Sequence, residues 1–262
     1  MADLKLLIEA DYHSHHRAGL NAPDWWMPAT GVYAKWGKLQ RELWNKRLEL
    51  LDKIGAVDAW ALNADPFDGR GERSGGTELL PDASWPNQIA NAEACARVVK
   101  FTGEPKRIMS RGTPYHVGWD ADYEDVLAMN LGATIKDHPF FTFGGVTFDM
   151  KHKAGASSIP HGRATPLARD RLWNLLWAEH DEQPKAQVII RSHVHYFQFT
   201  GEADWVAMTT PALQAAGTKF GGRQCAGTVH WGVVVFECEG GRYDWTPHIV
   251  RVAANRVEAV KL

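Results

Sequence analysis

No apolar run in this chain of 262 residues approaches the roughly 18 residues that a membrane-spanning helix needs, so no membrane partner is expected. Cysteine is scarce: Cys95, Cys225 and Cys238 are odd in number and lack the close spacing of a cysteine-built metal site. That excludes a disulfide framework and predicts reduced, buried thiols in a cytoplasmic protein. Charge of one sign is lacking too. Lys and Arg total 29 against 31 Asp and Glu, for a formal net charge of -2, which excludes a strongly basic nucleic-acid binder. There is no internal repeat, low-complexity tract or linker, and the opening MADLKLL has no signal-peptide layout. One domain over residues 1–262 is therefore expected.

Histidine is what the chain has in excess, twelve in all and several in pairs. Asp11-Tyr12-His13 follows the apolar run 4–8, which predicts a short buried strand. Side chains two apart on a strand share a face, so Asp11 and His13 can aim a carboxylate and an imidazole at one point past the strand end. That donor pair suits a borderline cation such as Zn, Mn or Fe. Four later stretches answer it. The run 57–62 leads to Asp65, and the short strand 107–109 to Arg111-Gly112-Thr113-Pro114-Tyr115-His116. The run 146–150 leads to His152, and 187–190 to His193 and His195. In open α/β sheets the carboxyl ends of strands are where sites assemble. A single histidine of this kind signifies a surface or hydrogen-bonded residue; the ordered set signifies a metal site.

Between these runs the spacing predicts helices over 36–54, 88–101, 123–131 and 165–176, with Gly55, Gly103 and Gly132 as stops and Thr165-Pro166 as a capped start. Gly144-Gly145 predicts a hairpin between 140–143 and 146–150. Strands are expected over 205–208, 229–238 and 242–252. Residues 63–86 show no periodicity, which predicts a long functional loop. It carries Arg70 and Arg73, whose planar guanidinium donors suit phosphate oxygens.

The order D-x-H at Asp11, N-x-D-x-x-D-G from Asn63 to Gly69, a Gly-led turn with His116, an isolated His152 and H-x-H at His193 resembles the calcineurin-like metallophosphoesterases. The resemblance spans about three quarters of the chain. It implies an α/β fold, a two-sheet α/β/β/α sandwich, and two divalent transition-metal ions (Mn, Zn or Fe) side by side. Asp11, His13 and His195 would hold one ion, His152 and His193 the other, and Asp65 would bridge them. His116 would be the catalytic histidine. The implied activity is hydrolysis of a small phosphoester, a nucleotide for example, by a metal-bridging hydroxide. Arg70, Arg73, His15 and His161 are then candidates for substrate contact.

The chain departs from that pattern at Ala64 and Ser192, where the family usually has glycine, and at Thr113, where it usually has a ligating asparagine directly before the catalytic histidine. A neutral hydroxyl is a poor ligand for such a metal, so the second ion would be held more weakly, through water, or by another group such as Asp68. Asp11-Tyr12-His13-Ser14-His15 also resembles the opening of the trinuclear PHP phosphoesterases, but those carry a further D-x-H near the end and none follows here. Within the metallophosphoesterase reading, a nuclease and a catalytically impaired metal-binding protein are the alternatives to a small-molecule phosphoesterase; oligomeric state is not legible.

Overall fold

The computed structural model describes residues 4–23, 26–27, 30–33, 36–72, 75–117, 122–157, 159–217, 228–252 and 259–260. In chain order it opens with β1 (Leu4–Glu9), the two-residue strands β2 (Trp26–Met27) and β3 (Val32–Tyr33), α1 (Lys38–Ile54), β4 (Val57–Asn63), α2 (Trp85–Arg97) and β5 (Phe101–Ser110). Then follow α3 (Pro114–Val117), α4 (Tyr123–Leu131), β6 (Thr134–Lys136), β7 (Phe140–Phe143), β8 (Val146–Lys153) and α5 (Thr165–Glu179). β9 (Val188–Ser192), β10 (Gln198–Gly201), β11 (Val206–Thr209), β12 (Trp231–Glu239) and β13 (Arg242–Val250) complete it.

Strict alternation along the central strands sets the layers. Leu7, Trp60, Leu62, Val233 and Val235 point one way and pack with Leu43, Leu51, Ile89, Ala92 and Leu127 of α1, α2 and α4. Leu6, Ile8, Ala59, Ala61, Val234 and Phe236 point the other way and meet Phe148, Met150, Val188, Ile190 and Met208 of a second sheet. On that sheet's outer side Ile189 and Ala207 pack under Leu167 of α5. The result is four layers, α/β/β/α. The first sheet runs β13-β12-β1-β4-β5-β6 and the second β10-β11-β9-β8-β7. β1, β4, β5 and β6 are mutually parallel, as are β8, β9 and β11. Both sheets therefore bring the carboxyl ends of their central strands to one edge.

Most expected elements are present, with shifted ends. Gly144 and Gly145 turn the β7–β8 hairpin at φ 57° and 82°, the positive angles that turn demands. α2 begins three residues before the expected 88, because Pro86 sits in its first turn where a missing N–H costs nothing. The expected helix end at 101 is instead the start of β5, and Gly103 lies inside that strand. The polar stretch Thr102–Lys106 is solvent-facing strand that carries no apolar periodicity to betray it. β8 runs on to Lys153, which puts His152 on the strand itself. β6 and β10 were not legible in the sequence: they are three and four residues long, with few buried side chains. Cys95 and Cys238 are buried and form no disulfide among the described residues, and Cys225 lies outside them. No helix among the described residues is long and apolar enough to cross a membrane.

A buried ion pair fastens α1 beneath the end of β1. Glu9 and Arg47 are both fully buried. The guanidinium donates Nε to Oε1 at 3.0 Å and Nη2 to Oε2 at 2.9 Å, and Nη1 reaches the Cys95 carbonyl at 2.6 Å. Trp60 Nε1 donates to Glu9 Oε2 at 2.9 Å, and the Tyr12 hydroxyl donates to the same oxygen. Removing one partner of such a pair leaves a charge in apolar surroundings. Arg47→Met is expected to lower the unfolding free energy by about 3–5 kcal/mol, read from urea denaturation at unchanged slope. The double variant Glu9→Gln, Arg47→Met should recover part of that loss; equal losses in both would mean that packing, not charge, governs the pair.

Candidate metal centre

Asp11 and His13 do not lie on β1, as the two-residue spacing suggested. The strand stops at Glu9, and His193 and His195 likewise follow the end of β9. Their side chains converge because the backbone turns left-handed: φ is 52° at Asp11, 45° at His13, 46° at Asp65, 72° at His193 and 54° at His195. Such angles are strained for residues other than glycine, and Asp and His are among those that tolerate them best. Backbone hydrogen bonds continue the β1–β4 register past the strand ends and hold these turns. Asp11 N–H donates to the Ala64 carbonyl (3.1 Å), His13 to Asp65 (3.0 Å) and Ser14 to Pro66 (3.0 Å). Ala64 is itself left-handed at φ 64°, which explains why glycine would fit there.

Among the described residues three groups of donor atoms result, each within 4.8 Å: Asp11 with His13 and His195; Asp65 with His152 and His193; and His13 with Asp65 and His116. The first two draw residues from both sheets. Asp65 Oδ2 is 2.9 Å from His152 Nε2, and Asp11 Oδ1 is 3.3 Å from His195 Nε2. Yet both oxygens are buried and accept no aligned hydrogen bond. Nitrogen and oxygen atoms that approach this closely without hydrogen-bond alignment are arranged as ligands of a shared cation are. Imidazole nitrogens also face each other, His13 Nε2 to His195 Nε2 at 3.3 Å and His152 Nε2 to His193 Nδ1 at 3.2 Å. The donor set of carboxylates and imidazoles, with its bare central oxygens, fits a divalent transition ion.

The remaining atoms of these side chains are tied down. Asp11 Oδ2 accepts the His193 N–H at 3.3 Å and Asp65 Oδ1 the Thr113 N–H at 3.0 Å. His152 Nδ1 donates to the Asn63 carbonyl at 3.0 Å, which leaves Nε2 to the site. His13 Nδ1 meets Asp68 Oδ1 at 3.1 Å on the far side of its ring. Asp68 thus stands behind the first group and orients His13; it does not stand in for the missing asparagine of the second. Asn63 spans the sheets: its amide donates to Ser192 Oγ (2.7 Å) and accepts from Ser110 Oγ (2.6 Å), and Ser192 Oγ meets Thr210 Oγ1 (2.7 Å). The serine at 192 therefore has a task that glycine could not perform.

His116 sits on α3 with Nδ1 donating to the Asp68 carbonyl at 3.0 Å and its ring edge-on to His13, centroids 4.5 Å apart. Burial, then the neighbouring His13, lowers it to about 4. Burial opposes charge on His13 and His152 as well, but Asp11 and Asp68 raise the first to about 10 and Asp65 the second to about 9. Asp11 and Asp65 are held below the carboxylate range, against burial, by His195 and His152 respectively.

His15, Arg70 and His161 belong to none of the donor groups. His15 is fully buried, with Nε2 3.0 Å from the Pro81 carbonyl, so it anchors the 80s loop. Arg70 and His161 are exposed, His161 on a 3-10 turn at Pro160–Gly162, and Arg73 lies outside the described residues. One residue escaped sequence reading altogether. Glu124, in the first turn of α4, is fully buried, and its Oε2 accepts the Gly112 N–H at 3.0 Å. Burial pushes its carboxyl up to about 8. An acidic residue at a helix start is ordinary capping chemistry, so nothing in the sequence marked it.

No family model and no curated protein matches the chain. Solved structures do. A novel archaeal phosphodiesterase is 13% identical, with 94% of this chain and 100% of that chain covered and a TM-score of 0.47. Vps29 of Chaetomium thermophilum is 11% identical, with 95% and 97% covered and a TM-score of 0.46. Zinc-complexed Vps29 of Entamoeba histolytica is 10% identical, with 94% and 99% covered and a TM-score of 0.41. The geometry of the donor groups stands independently of these likenesses.

Because His13 and His152 carry protons near neutral pH and a cation needs their bare nitrogens, metal and proton compete. Raising the pH frees the rings, so affinity should rise with pH. Calorimetry with Mn²⁺ at pH 7 in buffers of different ionisation enthalpy should show release of about two protons in total. Uptake of protons, or none exchanged, would contradict the charge state assigned to these rings.

Proposed function

We propose that the chain is a calcineurin-like metallophosphoesterase that hydrolyses a small phosphoester, a nucleotide being favoured, with two divalent ions. The observation that carries this reading is the pair of donor groups, Asp11–His13–His195 and Asp65–His152–His193, each drawn from both sheets. Asp65 belongs also to the group with His13 and His116, which supports it as the residue shared between ions. Ions held there would neutralise phosphate oxygens and acidify a water near neutral pH.

The protein's own groups supply position and protons. Asp11 and Asp65 are fully buried, whereas the side chains of His193, His195 and His116 are 36%, 19% and 18% exposed. Substrate therefore enters over the imidazole rim, not past the carboxylates. Asp68 and Asn63 hold the rings of His13 and His152 by their outer nitrogens, so both keep one orientation as substrate arrives. His116 enters the reaction neutral, its Nδ1 hydrogen on the Asp68 carbonyl and its Nε2 bare. An arriving phosphate brings negative charge beside that ring and draws a proton from solvent onto Nε2. His116 can then deliver it to the leaving oxygen as the ester bond breaks.

Two variants test this reading. Asp65→Asn should abolish hydrolysis of a phosphodiester panel and lower metal content by elemental analysis while circular dichroism stays unchanged. An active Asp65→Asn enzyme would mean that another carboxylate is shared. His116→Ala should depress hydrolysis of a nucleotide ester by roughly a hundredfold to ten-thousandfold and comparatively spare an aryl ester, whose phenolate departs unaided. Metal content should be unaltered. Equal losses on both substrates with lost metal would make His116 a ligand instead.

A further inference from the structure

The chain lacks the amide donor that resemblance places before the catalytic histidine, yet the space around that position is not apolar. The turn Arg111–Thr113 lies hard against Asp65: a Cβ on Gly112 would come within 2.0 Å of Asp65 Oδ1. Thr113 donates its N–H to that same oxygen, while its Oγ1 is buried with no hydrogen-bond partner. Behind the turn stands Glu124, whose Oε2 holds the Gly112 N–H and whose Oε1 is likewise buried with no partner. The carboxylate feels the charges of Asp65 and His152, both of the second group. Leaving a buried polar atom unpaired costs about 1–3 kcal/mol, and two such atoms flanking one turn call for a common partner.

We propose that Glu124 Oε1 and Thr113 Oγ1 receive a water bound to the second ion, and that this water takes the place of the asparagine ligand. Glu124 is not itself in any of the donor groups, so it acts through the water and not as a direct ligand. The water needs two to four polar partners, and the ion with these two oxygens provides three. Glu124 is thus a positioning residue. It fixes the Gly112 turn against Asp65 with one oxygen and orients the ligand water with the other. This inference rests on the two-ion reading of the site.

The test is Mn²⁺ binding by calorimetry, with electron paramagnetic resonance to distinguish a coupled ion pair from a single ion. With the positive charge of the second ion beside it Glu124 is ionised and accepts from the water, whereas Glu124→Gln keeps an acceptor for Gly112 but turns a donor toward the water. It should weaken the second ion by roughly tenfold to a hundredfold and erase the coupled signal at limiting metal, leaving the first ion unchanged. Adding Thr113→Asn supplies an amide directly and should restore the second ion. The proposal is overturned if Glu124→Gln binds two ions with wild-type affinity, if it loses both ions in parallel, or if the asparagine rescues nothing. Should Glu124→Gln not fold, Thr113→Val, which removes only the hydroxyl, should still weaken the second ion severalfold, and wild-type affinity in it overturns the proposal. A wild-type protein that binds no Mn²⁺ at all would instead refute the two-ion reading beneath it.

Discussion

Asn63 is the joint on which the site depends. It is the last residue of β4, and it binds Ser110 of the neighbouring strand, Ser192 of the opposite sheet and, through its carbonyl, the His152 ring. Two of the three candidate donor groups, Asp11–His13–His195 and Asp65–His152–His193, take residues from both sheets, so a slide of one sheet over the other would scatter them. Apolar packing between the sheets resists such a slide only weakly, because it has no direction. Hydrogen bonds among fully buried groups are directional and leave one register. The pairing of Asp11 Oδ2 with the His193 N–H adds a second tie at the same level.

Above that joint, electrostatics and backbone geometry work against each other. Two buried carboxylates lie among four imidazoles, and the negative potential they create draws protons onto His13 and His152 whenever no cation is there. The left-handed turns that aim the side chains store further free energy, which the hydrogen bonds between the two loops must outweigh. Both terms are relieved, or compensated, by a positive charge at the centre. Binding of a cation is therefore linked to the stability of the junction between the sheets.

The convergence of Asp11, His13, Asp65, His152, His193 and His195 was legible, because each follows an apolar run and runs of that kind end at one edge. The layering was legible only through the resemblance, since the apolar runs of β1, β4 and β12 mark strands but not which face meets the second sheet. The reason given for Asp11 and His13 did not hold. They converge through left-handed loop residues, which no periodicity reports, and not through a shared strand face. Glu124 and the Glu9–Arg47 pair were illegible for a different cause: their partners lie 12 and 38 residues away and depend on tertiary placement alone. His15 continues a D-x-H-x-H pattern, and what no pattern reports is that it is fully buried with Nε2 on the Pro81 carbonyl.

The left-handed ligands have an evolutionary consequence. At an ordinary strained position a drift to glycine relieves the backbone and stabilises the protein. At Asp11, His13, Asp65, His193 and His195 that escape removes the donor itself, so selection for the site keeps the conformational penalty in place generation after generation. Asparagine tolerates the same backbone but exchanges an anionic or imidazole donor for an amide. Any lineage or laboratory programme that seeks a hardier form of this protein must find its improvements in the helices and outer strands, because the ligand loops have no neutral path to lower strain.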